Sequence, residues 1–287
     1  MTNNSLSPAH PYSSEFCERE YNARLAVPEH KDFFVRWASR SAIAREQLSG
    51  YLDFAYGPGP KQSLDFFPAS SNKPIGLLVF IHGGYWRTLD KADFSFVAEP
   101  FVKAQVSVAA INYSLCPAVE IADIVRECRS AIAWLHANTS RFDLNGKPIV
   151  IAGHSAGGHL AAMMIATQSP ATGGWCDRIA GAVAVSGLFD LEPLVHTSMN
   201  ADLRLNEESA KAVSPVYLLP QVMAPILLVG GGAESAEFQR QNRLLKNAWP
   251  KTCSSPAVIP GRHHFSTVDY FADPASHAFR DTMLLFG

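Results

Sequence analysis

PIVIAGHSAGGHLAAM, residues 148–163, is the stretch whose reading decides the architecture. Its first five residues, 148–152, form a short apolar run rich in β-branched side chains, as expected of a strand covered on both faces. From Gly158 onward, His159, Leu160, Ala161, Ala162 and Met163 read as the start of a helix. Between them, Gly153-His154-Ser155-Ala156-Gly157 sets a serine on a strand-to-helix turn. A serine at such a corner is held in a strained backbone conformation, tolerated only where the residues two before and two after are small. Gly153 and Gly157 meet that condition. The strain lifts the hydroxyl off the sheet edge, and the following helix offers its N-terminal amides to a developing oxyanion, the N–H of Ala156 first. The plain alternative is a helix that begins with small residues. The strand before, the helix after and the extra Gly158 favour a nucleophile.

Outward from this corner, the hydrophobic periods alternate. Short β-rich runs recur at 76–81, 106–111, 179–185, 225–229 and 257–259. Helical stretches lie between them, clearest where Ile121, Ile124, Val125, Cys128, Ile132 and Leu135 recur at helical spacing. Strand and helix in alternation predict an α/β fold with a mostly parallel sheet of about eight strands and helices on both faces. Upstream, 51–54 and 63–66 flank Gly57-Pro58-Gly59-Pro60 and read as an antiparallel edge around a turn. Residues 28–50 read as one amphipathic helix, and 188–219 interrupts the alternation with charges and turn residues. The N-terminal segment 1–50 is therefore a candidate lid and 188–219 a candidate cap insertion. No linker composition appears, so residues 1–287 are expected to form one domain. The terminal helix is expected over 274–286.

A serine nucleophile needs a companion oxyanion loop, a base and an acid. His82-Gly83-Gly84-Tyr85-Trp86 follows directly on the run ending at Ile81. Glycines there let the amides of Gly83 and Gly84 converge on the same oxygen as that of Ala156. His82 is expected to hold the loop by hydrogen bonding, whereas Tyr85 and Trp86 are expected to line the pocket. If the chain order is serine, acid, histidine, the base comes from Gly261-Arg262-His263-His264-Phe265, the loop after the last strand. His159 and His277 fall within helices. Glu234 is the first carboxylate after the run 225–229; Glu237 already lies in the next helix, and Asp190 follows the preceding strand as a structural or capping group. The His263-His264 pair has no Cys or carboxylate at ligand spacing, so neither a metal nor a cofactor is expected.

The chain of 287 residues is 47% hydrophobic and 17% charged, enough for a well-filled core. Lys plus Arg total 24 and Asp plus Glu 26, a net charge of −2 without any block of like charge, which argues against a nucleic-acid grip. No apolar run approaches the roughly 20 residues of a membrane helix, so no membrane partner is expected. Residues 1–10 lack the basic and apolar regions of a secretory signal. The five cysteines, an odd number without any Cys-x-x-Cys pair, fit neither a disulfide framework nor a zinc cage. A cytoplasmic location is the expectation.

Together, His-Gly-Gly-Tyr-Trp at 82–86, Asn112-Tyr113-Ser114-Leu115, Gly-His-Ser-Ala-Gly-Gly-His-Leu at 153–160, Ser186-Gly187-Leu188-Phe189-Asp190-Leu191, Glu234-Ser235-Ala236-Glu237-Phe238, His264-Phe265 and Tyr21-Asn22-Ala23-Arg24 resemble kynurenine formamidase (arylformamidase). That family lies within the esterase and lipase branch of α/β-hydrolases, and the resemblance runs through almost the whole chain. It implies an α/β-hydrolase fold and a triad of Ser155, Glu234 and His264, the histidine before Phe being the base. One departure is that the family's acid is usually Asp, and Glu234 is longer by a methylene, which bears on the substrate more than on the mechanism. The implied substrate is N-formylkynurenine, a small molecule with an aromatic leaving group, cleaved to formate and an aromatic amine. A small acyl slot and a wide aromatic pocket follow, with a homodimer as the expected assembly. Two rivals remain open. A short-chain carboxylesterase would use the same triad, since one methyl is discriminated by only about 1–3 kcal/mol. A non-catalytic binding protein on the same scaffold would be expected to have a broken triad, and here all three residues stand in order.

Overall fold

The structure is a computed structural model that describes residues 12–71, 73–166 and 174–287. Its strands are β1 (Tyr51–Ala55), β2 (Ser63–Phe67), β3 (Gly76–Ile81), β4 (Val106–Ile111), β5 (Ile149–His154), β6 (Ile179–Val185), β7 (Ile226–Gly231) and β8 (Ala257–Ile259). The helices before the sheet are α1 (Ser14–Tyr21), α2 (Ala23–Ala26) and α3 (His30–Gln47). Those between strands are α4 (Ala98–Lys103), α5 (Ile121–Ala137), α6 (Ala156–Ile165), α7 (Asn200–Leu203), α8 (Glu207–Ala212) and α9 (Ala236–Ala248), followed by α10 (Ser266–Phe271) and α11 (His277–Leu284).

All eight strands join one sheet in the order β1-β2-β4-β3-β5-β6-β7-β8. β1 pairs antiparallel with β2 and β2 with β4, while every pair from β4 to β8 is parallel. Every residue of β3, β4 and β5 is buried, which is why these strands read as uninterrupted apolar runs. The antiparallel edge expected at 51–54 and 63–66 is present as β1 and β2.

One feature of the topology positions the site. After β3 the chain moves outward to β4 and then crosses back over β3 to enter β5 on its other side. Strand order reverses there, and ligands in open α/β sheets bind at the carboxyl ends of the strands flanking such a reversal. Ile81 of β3 is paired with Gly153 of β5. The loop opening at His82 and the corner at Ser155 are therefore neighbours by register, although more than 70 positions apart in the sequence.

The structure corrects two boundaries. The helix expected over 28–50 is α3, 30–47, and two separate short helices precede it. Asn22 ends α1 and caps α2 by accepting from the Leu25 amide, and Val27-Pro28 precedes α3 because proline disfavours a helical residue before it. The terminal helix expected over 274–286 begins at His277, where Ser276 caps it through the Phe279 amide, and the unanticipated α10 lies between it and the His264 loop.

Candidate active site

Ser155 sits between β5 and α6 with φ 57° and ψ −118°, the strained corner anticipated from the sequence. The flanking glycines are required by contact. A Cβ on Gly153 would lie 2.1 Å from the Gly157 carbonyl oxygen, and one on Gly157 would lie 2.0 Å from that of Ile81. Gly83 approaches the corner from β3: a Cβ there would come within 3.2 Å of the Ser155 Cβ and 2.9 Å of the His154 carbonyl oxygen. Gly84, at φ +109°, turns the loop where a side chain would strike the Thr88 carbonyl at 2.0 Å. Gly83 thus lies against the Ser155 corner, Gly84 lines the same cavity as Ser155, and Ala156 opens the helix that follows it.

His264 lies in the loop after β8, and its Nε2 is 2.9 Å from Ser155 Oγ. Its Nδ1 is 2.7 Å from Glu234 Oε1, and the side chains of His264 and Glu234 are only 6% and 2% exposed. A carboxylate on Nδ1 fixes the tautomer: Nδ1–H donates to Glu234, leaving Nε2 to accept from the serine hydroxyl. The second oxygen of Glu234 accepts from the Gly231 amide at 2.6 Å and from Ser186 Oγ at 3.0 Å. Both oxygens are engaged, so the extra methylene relative to Asp is taken up by a side chain folded back over its own loop.

Three side chains that the sequence reading did not single out for the site hold this arrangement. Ser186 follows β6, and its hydroxyl lies 2.9 Å from that of Thr267, which donates to the His264 carbonyl at 2.8 Å. His154 is the third, with Nε2 2.8 Å from that same carbonyl. Burial and the adjacent His264 push its pKa down to about 3, so it is neutral and donates. Ser186 stood in a recognisable stretch, but nothing in a linear sequence marks a hydroxyl that reaches a carboxylate 48 positions away.

The alternatives to the triad residues are placed elsewhere. His263 packs edge-on to Phe33 of α3, with ring centroids 4.8 Å apart. Glu237 accepts from the Tyr21 hydroxyl at 2.7 Å and pairs with Arg240 at 2.8 Å. Asp190 accepts from the Glu192 amide and lies beside Gln241. His82 has Nε2 3.0 Å from Asn112 Oδ1 and stacks on Tyr113, holding its loop as expected.

A small, partly enclosed cavity opens on Ser155 and His264. Phe34, Trp37, Tyr85 and Phe265 give it aromatic walls, and Ala23 and Arg24 close it from the N-terminal side. Tyr85 is where the sequence put it. Trp86 is not: it is fully buried, edge-on to His159 at 5.0 Å, because its backbone turns it under the loop at φ 56°. The Tyr85 hydroxyl donates to the Tyr21 carbonyl, and Ser235 Oγ donates to that of Glu20 at 2.7 Å. The end of α1 thereby clasps both the loop after β3 and the loop after β7. The 188–219 segment does not line this cavity; it touches the loop after β3 through the Arg87–Asp202 ion pair.

The family model described as BD-FAE matches residues 64–249, spanning β2 to the last turn of α9 and the residue beyond it. The chain belongs to the BD-FAE family of α/β-hydrolases. Kynurenine formamidase of Danio rerio is 31% identical to this hydrolase over 245 residues, covering 80% of each chain. That of Salmo salar is 29% identical over 258 residues, covering 85% of this chain and 84% of the other. Among solved structures, a candidate thioesterase from Silicibacter sp. is 32% identical with a TM-score of 0.83, covering 94% of this chain and 98% of that one. Esterase B of Lactobacillus rhamnosis, 17% identical with a TM-score of 0.70 over 91% of this chain and 96% of that one, is alike in fold alone. The hydrolase is thus an enzyme of the kynurenine formamidase-like kind with a small-molecule substrate. Among its described residues, no helix is long and apolar enough to cross a membrane.

Proposed function

We propose that this hydrolase removes the formyl group from N-formylkynurenine or a close aryl formamide through a covalent enzyme, with Ser155 as nucleophile, His264 as base and Glu234 as acid. The unbroken chain of contacts from Ser155 Oγ to His264 (2.9 Å) and from His264 to Glu234 (2.7 Å), opening on an aromatic cavity, carries this reading. Ser155 Oγ attacks the formyl carbon while its proton passes to His264 Nε2, and the amides of Gly83, Gly84 and Ala156 receive the oxyanion. His264 then protonates the aryl nitrogen, the C–N bond breaks, and the formyl group remains on Ser155 as an ester. Water, deprotonated by the same imidazole, attacks that ester and releases formate. Glu234 orients the ring and stabilises its charged form.

An aromatic leaving group is supported by the four aromatic walls of the cavity. The arm expected over residues 1–50, of which 1–11 lie outside the described residues, acts in this reading through 12–50 as the lid of that pocket, since Phe34 and Trp37 of α3 and Ala23 and Arg24 of α2 line it. Segment 188–219 would brace the loop after β3 through the Arg87–Asp202 pair, outside the cavity, and not cover it as a cap. Trp86 acts by supporting the loop from below, with Tyr85 in contact with substrate. The free state of all five cysteines accords with a reducing cytoplasm, and light scattering on the purified chain tests the homodimer. The ratio of kcat/KM on N-formylkynurenine to that on p-nitrophenyl acetate tests the substrate. A ratio well above one supports the formamidase, and turnover of the ester alone replaces it with the carboxylesterase.

A further inference from the structure

Arg24 stands at the start of α2, on the wall of the cavity that holds Ser155 and His264. Its guanidinium donates to Thr88 Oγ1 at 3.1 Å and lies over the Phe34 ring, 5.5 Å from the centroid. The neighbouring Arg87 is neutralised by Asp202. Arg24 is not: the charged or ionisable groups acting on it among the described residues are Arg87 and Tyr85, neither of them a carboxylate. A guanidinium stays protonated in proteins and carries five N–H donors in a planar fork. Holding such a group half-buried, beside a second cation and without a counter-ion, costs free energy that an anion in the cavity would return.

We propose that Arg24 is the subsite for a carboxylate on the leaving group, so that the hydrolase selects acyl aryl compounds whose departing half carries a carboxylate. The planar fork suits a carboxylate bidentately, and Phe34 stands under the guanidinium while the other rings of the cavity take the aryl group. Thr88 carries the contact further. Its hydroxyl accepts from Arg24 and donates to the Gly84 carbonyl at 3.0 Å, so a carboxylate on Arg24 braces the loop that receives the oxyanion. The inference rests on the hydrolase reading above and gives its leaving-group pocket a charge requirement.

The test measures kcat and KM of the wild type, Arg24→Gln and Arg24→Lys on two substrate pairs. One pair is N-formylkynurenine against formanilide, the other 4-acetoxybenzoate against phenyl acetate; in each, the first member alone carries a carboxylate on its leaving half. Loss of a charge-assisted contact is expected to lower kcat/KM for the carboxylate member by about 30- to 100-fold, mainly through KM. That loss should exceed the loss on the neutral partner at least about tenfold, with Arg24→Lys recovering part of it. Equal losses within every pair that the wild type turns over, or none at all, would overturn the proposal. If the wild type turns over neither formamide, the formamidase reading fails, and the acetate pair still decides the role of Arg24.

Discussion

Ser155 was legible in the sequence because its surroundings are dictated by contact. Gly153 and Gly157 leave no room for a Cβ, and that demand writes a local motif. The base was narrowed to a pair of histidines by position, and in the structure one faces Ser155 while the other faces Phe33. His264→Ala should therefore lose turnover to the level of Ser155→Ala, with His263→Ala falling by less than about tenfold, because nucleophile and base serve one step. The reverse ranking in steady-state assays would contradict the assignment. Glu234→Gln keeps the shape and removes the charge that supports the imidazolium. It should lower kcat by about 10⁴-fold, as when an amide replaces the acid of such a triad. Glu237→Gln, whose carboxylate is taken by Tyr21 and Arg240, should cost far less. The Ser186–Thr267 brace was not legible, since those hydroxyls meet only after β6 and α10 are folded together.

At the level of elements, the arm of α1 to α3 was visible as apolar content but not as geometry. Its apolar residues serve different ends: Trp37 is buried against Phe94 and Phe265 and lines the cavity, while Val35 is 71% exposed. Charge fixes the helix to the body. Arg36 and Arg40 both pair with Asp269 of α10 at 2.7 Å, and Arg45 pairs with the buried Asp65, which also holds the buried Lys91. None of these partners is local, so no periodicity in residues 28–50 could announce them. Trp37→Ala removes a buried ring and should destabilise the fold by about 3–5 kcal/mol, read as a lower denaturant midpoint at unchanged slope. Phe34→Ala, at the half-buried rim, should spare stability and raise KM for an aryl formamide more than for a small acetate ester. Equal shifts for both substrates would leave α3 as packing alone.

Across the whole molecule, the sheet was the most legible feature, because strands covered on both faces must be written as apolar runs. The reversal of strand order between β3 and β5 was not written there, although it brings the two motifs together. The interior also holds imidazoles with a collective effect on stability. Burial pushes His82 and His159 down to about 4 and His154 to about 3, so all three stay neutral in the folded protein at mildly acidic pH. In the unfolded chain such groups take up protons below about pH 6.5. The unfolded state then binds more protons, so stability is fully present above that pH and is lost as the pH falls toward 4. With up to three protons involved, the loss should steepen toward roughly 4 kcal/mol per pH unit. Denaturation midpoints that stay level between pH 7 and 5 would contradict this. The central claim is that Ser155, activated by His264 and Glu234, carries the acyl group. It is tested most directly by titrating the enzyme with a fluorophosphonate while following formate release from N-formylkynurenine and mapping the labelled peptide. The account predicts one label per chain, on Ser155, with activity falling in proportion to labelling; label on another residue, or full labelling of Ser155 with formate release intact, would contradict it.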